Sequence, residues 1–122
     1  MNSYKDLDIY KISLSLFYEI HPASLLLPKY ELYELGSQIR RSSDSMVTNI
    51  VEGYGRKNYK ADFIRFLVFS HSSCLETKLH LEKIDVLYKG LIVNLDYFID
   101  EYDRLGAKIF SFIKYVENNW KT

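Results

Sequence analysis

The stretch QIRRSSDSMVTNIVEGYGR, residues 38–56, decides the fold of this chain. Its long polar residues recur at intervals of three and four, at Gln38, Arg41, Ser45, Asn49, Glu52 and Arg56. At about 100° per residue, they share one face of a helix within roughly 80° of arc. An apolar face lies about a third of a turn away and carries Leu35, Ile39, Met46 and Ile50. The first set, named the polar row below, indicates an organised hydrogen-bonding face rather than a mixed solvated surface.

The composition favours one folded domain over residues 1–122. That length suffices for one hydrophobic core and is too short for two ordinary domains. Hydrophobic residues make up 48% of the chain, with 11 Tyr and 7 Phe, which disfavours disorder. Sixteen Lys and Arg balance sixteen Asp and Glu, so bulk charge does not predict a protein that coats nucleic acid.

Cysteine and histidine usage exclude several site types. Cys74 is the single cysteine, so no intrachain disulfide can form. The three histidines lack the Glu-x-x-His pattern of di-iron helical bundles, and we expect no metal and no cofactor. The N-terminus has no signal-peptide pattern, and no apolar run reaches the length of a bilayer span. We therefore expect a cytoplasmic protein with no membrane partner.

Periodicity predicts two helices in the first half of the chain. The first begins near Asp6 and ends at Pro22, because proline cannot donate to the preceding turn. Ala23–Leu27 is then a connection. The second begins at Pro28, with Glu31 and Glu34 near its positive N-terminal end. It ends at the Gly53–Gly55 pair, where a glycine can adopt the left-handed conformation.

The third predicted helix, from the N-cap Asn58 to the Lys89–Gly90 pair, has two apolar faces. One carries Phe63, Phe66, Leu67, Ser70, Cys74, Thr77, Leu81, Ile84 and Tyr88, and the other Ile64, Val68, Leu75, Leu79 and Val86. Two faces require two neighbours. Either this helix is the most central one, or it also contacts another protomer.

The fourth predicted helix opens at Asn94 and has the most regular apolar spacing in the chain. Its seam alternates threes and fours at Leu95, Phe98, Tyr102, Leu105, Ile109, Phe112 and Val116. No hairpin signal appears. Four helices with short connections predict an all-α fold, an antiparallel up-down-up-down four-helix bundle.

Several motifs resemble the bacterial four-helix-bundle family encoded in intervening sequences of 23S ribosomal RNA genes. The polar row with the string Asn49-Ile50-Val51-Glu52-Gly53 matches its pattern Gln-x-x-Arg-x-x-x-Ser-x-x-x-Asn-Ile-Ala-Glu-Gly, except that Val51 replaces alanine. Arg65-Phe66-Leu67 and the segment from Ser73 to Glu76 extend the resemblance over nearly the whole chain.

This resemblance implies a pentamer and no catalytic activity. The family is similar in fold to the accessory variability protein of diversity-generating retroelements, a barrel-like pentamer that binds a reverse transcriptase and nucleic acid. By that analogy we expect a homo-oligomer, specifically a pentamer. Fold-level analogy alone does not assign a function.

The polar row has a structural interpretation. Its members would hydrogen-bond to one another and to helix three, inside one bundle or between protomers, which fixes the register of helix packing. Arg41 would pair with Glu52 or Glu76. The predicted structural polar network consists of Gln38, Arg41, Ser45, Asn49, Glu52, Ser73 and Glu76.

A second interpretation makes the junction of helices two and three a surface for RNA or DNA. Residues 38–65 carry six Lys and Arg against three Asp and Glu, a net +3 that an oligomer would repeat. Two interleaved tyrosines would stack on unpaired bases. The predicted nucleic-acid-binding residues are Arg40, Tyr54, Arg56, Lys57, Tyr59, Lys60 and Arg65.

An enzyme is the least supported class. Glu52 with Glu76 would be an acid–base pair, and Ser73 or Cys74 a nucleophile, but no motif positions a base beside them. We therefore predict a non-catalytic oligomeric bundle that associates with structured RNA or other nucleic acid through a basic patch where helices two and three meet. The alternative is a scaffold that binds a protein partner and no nucleic acid.

Overall fold

The computed structural model describes residues 3–121, which form four α-helices and no strand. The helices are α1 (Asp8–Ser24), α2 (Leu35–Gly55), α3 (Lys60–Leu87) and α4 (Leu95–Asn119). Two short 3-10 turns, Tyr4–Asp6 and Lys29–Glu31, precede α1 and α2. The predicted all-α class is confirmed. Within the described range, no helix is both long and apolar enough to cross a membrane.

The four helices follow one another around a square in chain order, and each packs against the helix on either side of it. α2 packs most extensively on α3, α3 on α4, and α1 on both α2 and α4. Short connections reverse the chain each time, so the arrangement fits the predicted up-down-up-down bundle. The fully buried core includes Ile20, Ile39, Met46, Ile50, Phe63, Leu67, Leu81, Ile84, Phe98, Tyr102, Leu105 and Ile109.

The prediction that Pro22 ends the first helix is wrong, because α1 continues to Ser24. A proline this close to a helix end removes only one backbone donor, so the loss is small. The N–H of Leu25 donates to the Pro22 carbonyl at 3.1 Å and closes the last turn. The Ser24 hydroxyl also donates to the His21 carbonyl at 2.7 Å.

The second helix begins at Leu35 rather than at Pro28. Pro28 has an extended ψ of 151°, and the 3-10 turn Lys29–Glu31 follows it. The Glu31 carboxylate accepts a hydrogen bond from the Leu35 N–H at 3.4 Å and from the Tyr88 hydroxyl at 2.5 Å. Glu31 therefore caps α2 from outside the helix and ties this turn to the end of α3.

The glycine pair does not form the predicted left-handed cap of α2. Gly53 and Gly55 are both helical, and Gly90 is the one residue of the described chain with a positive φ, 81°. Gly53 instead allows α2 and α3 to approach each other closely, since an added Cβ would lie 3.1 Å from the Cβ of Phe66 on α3. The N-cap of α3 is Tyr59, one residue beyond the predicted Asn58.

The seam of α4 follows the prediction with one exchange. Leu95, Phe98, Tyr102, Leu105, Ile109 and Val116 are buried, but the remaining buried position is Ile113. Phe112 lies half-buried beside it and contacts the ring of Phe63 at 6.0 Å between centroids. α3 presents its first apolar face to the core. Most of its second face is exposed, with Val68 at 44%, Leu75 at 52%, Leu79 at 49% and Val86 at 81%, whereas Ile64 is partly buried against the core.

Candidate nucleic-acid interface

Small hydroxyl residues line the contact between α2 and α3. The Thr77 hydroxyl donates to the Ser42 hydroxyl at 2.8 Å, and the Ser70 hydroxyl donates to the Met46 carbonyl at 2.8 Å. All four of these residues are buried. Because small side chains let the two helices approach closely, these bonds satisfy the polar groups inside that contact and fix its register.

The middle of the polar row joins this contact. Asn49 donates through Nδ2 to the Ser45 carbonyl at 2.9 Å and to the Ser45 hydroxyl at 3.0 Å. The Ser73 hydroxyl of α3 donates to the same Ser45 hydroxyl at 3.1 Å. The structure thus brings together Ser45, Asn49 and Ser73 out of the predicted structural network.

The outer members of that network lie on the surface. Gln38, Arg41 and Glu52 are exposed, and no side-chain hydrogen bond or ion pair joins any of them to another residue of the range 3–121. The predicted pairing of Arg41 with Glu52 or Glu76 is therefore absent within one described chain. Glu76 instead reaches Nε2 of the buried His80 at 3.4 Å.

Two arginines meet on one phenylalanine where α2 passes into α3. The guanidinium of Arg56 lies 4.7 Å from the centroid of the Phe66 ring, and that of Arg65 lies 5.3 Å from it. Asp62, in the first turn of α3, is 3.8 Å from Arg56 and 3.4 Å from Arg65. Cation–π attraction favours both positions over the ring, and both arginine side chains remain about half exposed.

Lys57 and the C-terminal end of α4 complete this corner. The Lys57 amine lies 4.2 Å from the centroid of the Tyr54 ring and 3.0 Å from its hydroxyl oxygen. The Lys57 carbonyl accepts a hydrogen bond from Nε1 of Trp120 at 2.9 Å. Trp120 in turn packs edge-on against Phe63 at 5.2 Å between centroids. Aromatic packing therefore holds the connection between α2 and α3 against the core.

The remaining predicted cation and one tyrosine lie beside these groups. Tyr59 precedes α3 and is 71% exposed, while Lys60 begins the helix and is half-buried. Residues 56–65 carry four cations against the single carboxylate of Asp62, which leaves a local charge of +3. We call Arg56, Lys57, Tyr59, Lys60 and Arg65, together with Phe66, the basic corner.

Two of the predicted nucleic-acid residues are not part of the basic corner. Arg40 lies 16 residues before Arg56 on α2, about 24 Å along the axis at 1.5 Å per residue. Its guanidinium donates to the Leu32 carbonyl at 2.6 Å and to the Ser24 hydroxyl at 3.0 Å, so it braces the connection between α1 and α2. The ring of Tyr54 is 7% exposed and packs in the core, where no base can stack on it.

Sequence reasoning missed the parts played by Phe66 and Trp120. Phe66 was assigned to the core face of the third helix, but it is half-buried and the guanidinium groups of Arg56 and Arg65 lie over its ring. A signal existed, because Arg65 is its neighbour in sequence. Trp120 was assigned no role, and its contact with the Lys57 carbonyl joins residues 63 positions apart. Periodicity within one helix cannot predict a contact between two residues so distant in sequence.

The described residues contain no metal-binding cluster of three or more His, Cys, Asp or Glu side chains. The Cys74 thiol is buried and donates to the Tyr102 carbonyl at 3.3 Å, and burial raises its pKa to about 11. A thiol that keeps its proton at neutral pH is a poor nucleophile. An open groove of about 590 Å³ lies between the start of α1 and α4 and is separate from the basic corner.

Comparison with known proteins agrees with the helical architecture and with the motifs of α2. No curated protein matches the chain significantly. The family described as 23S rRNA-intervening sequence protein matches residues 5–111, from the first 3-10 turn to the middle of α4. That span includes the polar row, the α2–α3 contact and the basic corner, and the chain therefore belongs to the family of 23S rRNA-intervening sequence proteins.

Proposed function

We propose that this protein is a non-catalytic homo-oligomer that associates with structured RNA through the basic corner. The observation that carries the proposal is the pair of arginines over the Phe66 ring, beside two further cations and an exposed tyrosine. Guanidinium groups bind phosphate through several parallel donors, and an exposed aromatic ring stacks on unpaired bases. The net charge of +3 over residues 56–65 supplies a local electrostatic attraction for phosphate groups, which the chain as a whole, with a net charge of zero, does not supply.

Salt-dependent binding tests this proposal. A structured RNA labelled with a fluorophore is titrated with the protein at 50 to 300 mM salt, with binding followed by anisotropy. We expect affinity to fall steeply with salt, since each phosphate contact releases counterions. Arg56→Ala with Lys60→Ala is expected to weaken binding at least tenfold and to reduce the salt slope by about two.

The matched control removes two cations from the other end of the bundle. Lys29→Ala with Lys89→Ala makes the same change of net charge at exposed positions in the α1–α2 and α3–α4 connections. It should leave affinity within about twofold, as expected for charges beyond a Debye length. Absence of RNA binding at 50 mM salt, or equal losses in both double variants, would refute the proposed site.

We propose that the second face of α3 carries the self-association. Val68, Leu75, Leu79 and Val86 lie at intervals of seven, four and seven and are 44 to 81% exposed, a stripe that a neighbouring helix would bury. The exposed Gln38, Arg41 and Glu52 lie on the adjoining helix α2, where polar groups of another copy would pair with them. The resemblance to the pentameric accessory variability protein of diversity-generating retroelements favours a pentamer as the oligomeric state.

The mass in solution tests this second part. Light scattering after size exclusion should give an oligomer for the wild type, pentameric if the resemblance holds. Leu75→Glu with Leu79→Glu places charges in the stripe and should yield monomers that retain helical circular dichroism. Leu25→Glu with Leu26→Glu, at equally exposed loop positions, should leave the mass unchanged. A monomeric wild type at micromolar concentration would contradict the proposal.

The exposed stripe also favours a second candidate function, a scaffold that binds a different protein and no nucleic acid. Apolar patches of this kind mark protein contacts irrespective of partner. The two candidates separate in the RNA titration, because a scaffold retains its assembly and shows no salt-dependent RNA binding.

A further inference from the structure

The carboxylate of Asp62 lies between two guanidinium groups. Its Oδ2 is 3.8 Å from Nη1 of Arg56, and its Oδ1 is 3.4 Å from Nη2 of Arg65. Each carboxylate oxygen thus faces a different arginine, and both arginines lie against Phe66. A single anionic group therefore bridges two cations that an aromatic ring holds in place.

These ion pairs are loose. The distance to Arg56 exceeds hydrogen-bond length, and the distance to Arg65 is at its upper limit. The three side chains are 40 to 56% exposed, so water and salt screen the attraction. Neither guanidinium has another hydrogen-bond acceptor among the side chains and carbonyls of residues 3–121. Most of their donors are therefore available to an incoming anion.

A phosphate group fits this position better than the carboxylate does. Arginine forks bind phosphate oxygens through two parallel N–H donors, and a free phosphate can move to the distance that those bonds require. Asp62 cannot, because its side chain is short and its backbone is fixed in the first turn of α3. A phosphate and the Asp62 carboxylate would repel each other in the same space, so they exclude one another.

We propose that Arg56 and Arg65 form a binding site for one backbone phosphate of RNA, and that Asp62 is its built-in competitor. The inference rests on the proposed association with RNA and adds a regulatory element to that surface. The phosphate enters when Asp62 swings away from the two guanidinium groups. The carboxylate thereby lowers the affinity of the two arginines for phosphodiesters.

Asp62→Asn tests the competition, because it keeps the shape of the side chain and removes its charge. The variant should bind structured RNA about fivefold more tightly at 50 mM salt, the size expected when two exposed ion pairs no longer compete. The control Asp100→Asn makes the same change of net charge on the exposed face of α4 and should change affinity less than twofold. Equal thermal melting of the variants checks that the fold is retained, and Asp62→Ser offers a second neutral side chain.

A titration with inorganic phosphate tests the anion site independently of RNA binding. The Nε–Hε signals of Arg56 and Arg65 are followed by NMR during a phosphate titration, with the other arginines as internal references. We expect these two signals to shift first, and the half-saturating concentration to fall about fivefold in Asp62→Asn. If the phosphate arm succeeds and no variant binds RNA, the proposed function fails and the anion site stands. Equal phosphate responses in wild type and Asp62→Asn would overturn the inference, whatever the RNA result.

Discussion

At the scale of single residues, the close contact between α2 and α3 depends most on Gly53. An added Cβ there would lie 3.1 Å from the Cβ of Phe66 and 3.4 Å from the ring of Phe63. The atom at 3.1 Å is attached directly to the α3 backbone, so relief requires the helices to separate. Gly55 offers the comparison, because its Cβ would meet nothing within 4 Å and both glycines are helical.

Gly53→Ala is expected to destabilise the bundle by up to about 2 kcal/mol net, because overpacking of a closed contact costs about 1–3 kcal/mol. The alanine gains about 1 kcal/mol of helix propensity, which the steric conflict exceeds. Gly55→Ala has the propensity gain without the conflict and should be neutral or slightly stabilising. Urea unfolding of both variants measures the difference. A Gly53→Ala protein as stable as Gly55→Ala would mean that α3 yields at no cost.

The contacts of a side chain were predictable from sequence where its partner lies on the same helix. They were not predictable where the partner is distant in sequence. The spacing of Ser45 and Asn49 predicted that they share a face, and they are hydrogen-bonded to each other. Arg40 shows the opposite case. It is adjacent to Arg41 in sequence, yet its guanidinium bonds to Leu32 and Ser24, which only the folded connection between α1 and α2 brings near.

At the scale of elements, the number and type of helices followed from periodicity, while several of their ends did not. α4 has a sustained heptad seam that determines which side is buried. The start of α2 depends instead on Glu31, which bonds both to Leu35 and to Tyr88 at the end of α3. A helix start fixed by a contact across 57 positions has no local signal, so proline at position 28 suggested an earlier one.

The third helix shows how one element serves two surfaces. Its inner face provides core side chains such as Phe63 and Leu81, and its outer face exposes Leu75 and Leu79. Sequence alone left two interpretations of that pattern, a central helix or a contact between protomers. Within one chain, α3 packs against α2 and α4, and its second face remains uncovered. Because this face is uncovered within one chain, we assign it to the contact between protomers in the proposed assembly.

At the scale of the whole molecule, the two ends of the bundle differ in chemistry. The basic corner lies at the end that contains the α2–α3 connection and the C-terminus of α4. The opposite end contains the connections α1–α2 and α3–α4, which the hydroxyls of Tyr30 and Tyr88 join at 2.8 Å. Exposed apolar residues there include Leu25, Leu26, Tyr33, Leu91 and Val93. In a parallel ring of bundles, all cationic corners would lie on one rim, where their potentials add.

Cys74 reports on the opening of the whole bundle, because it lies fully buried between α3 and α4. Burial raises its pKa from 9.0 to about 11. Between these values the unfolded chain has lost the thiol proton and the native chain has kept it. Native protein then binds more protons than unfolded protein, so stability falls as pH rises from about 9 to 11.

We expect the free energy of unfolding to be about 1 kcal/mol lower at pH 10 than at pH 8, from the size of that shift. Urea unfolding at the two pH values measures it, and Cys74→Ala should show a smaller decrease because it has no thiol to titrate. Tyr102 has a pKa raised by burial, and Lys78 one raised by its hydrogen bond to Asp103. Both groups also lower stability as pH rises, Tyr102 because its buried phenol keeps a proton that the unfolded chain loses, and Lys78 because its stabilising bond to Asp103 is lost on deprotonation. Only the difference between wild type and Cys74→Ala therefore isolates the thiol. An equal decrease in the two proteins would show that the thiol is not shielded in the folded bundle.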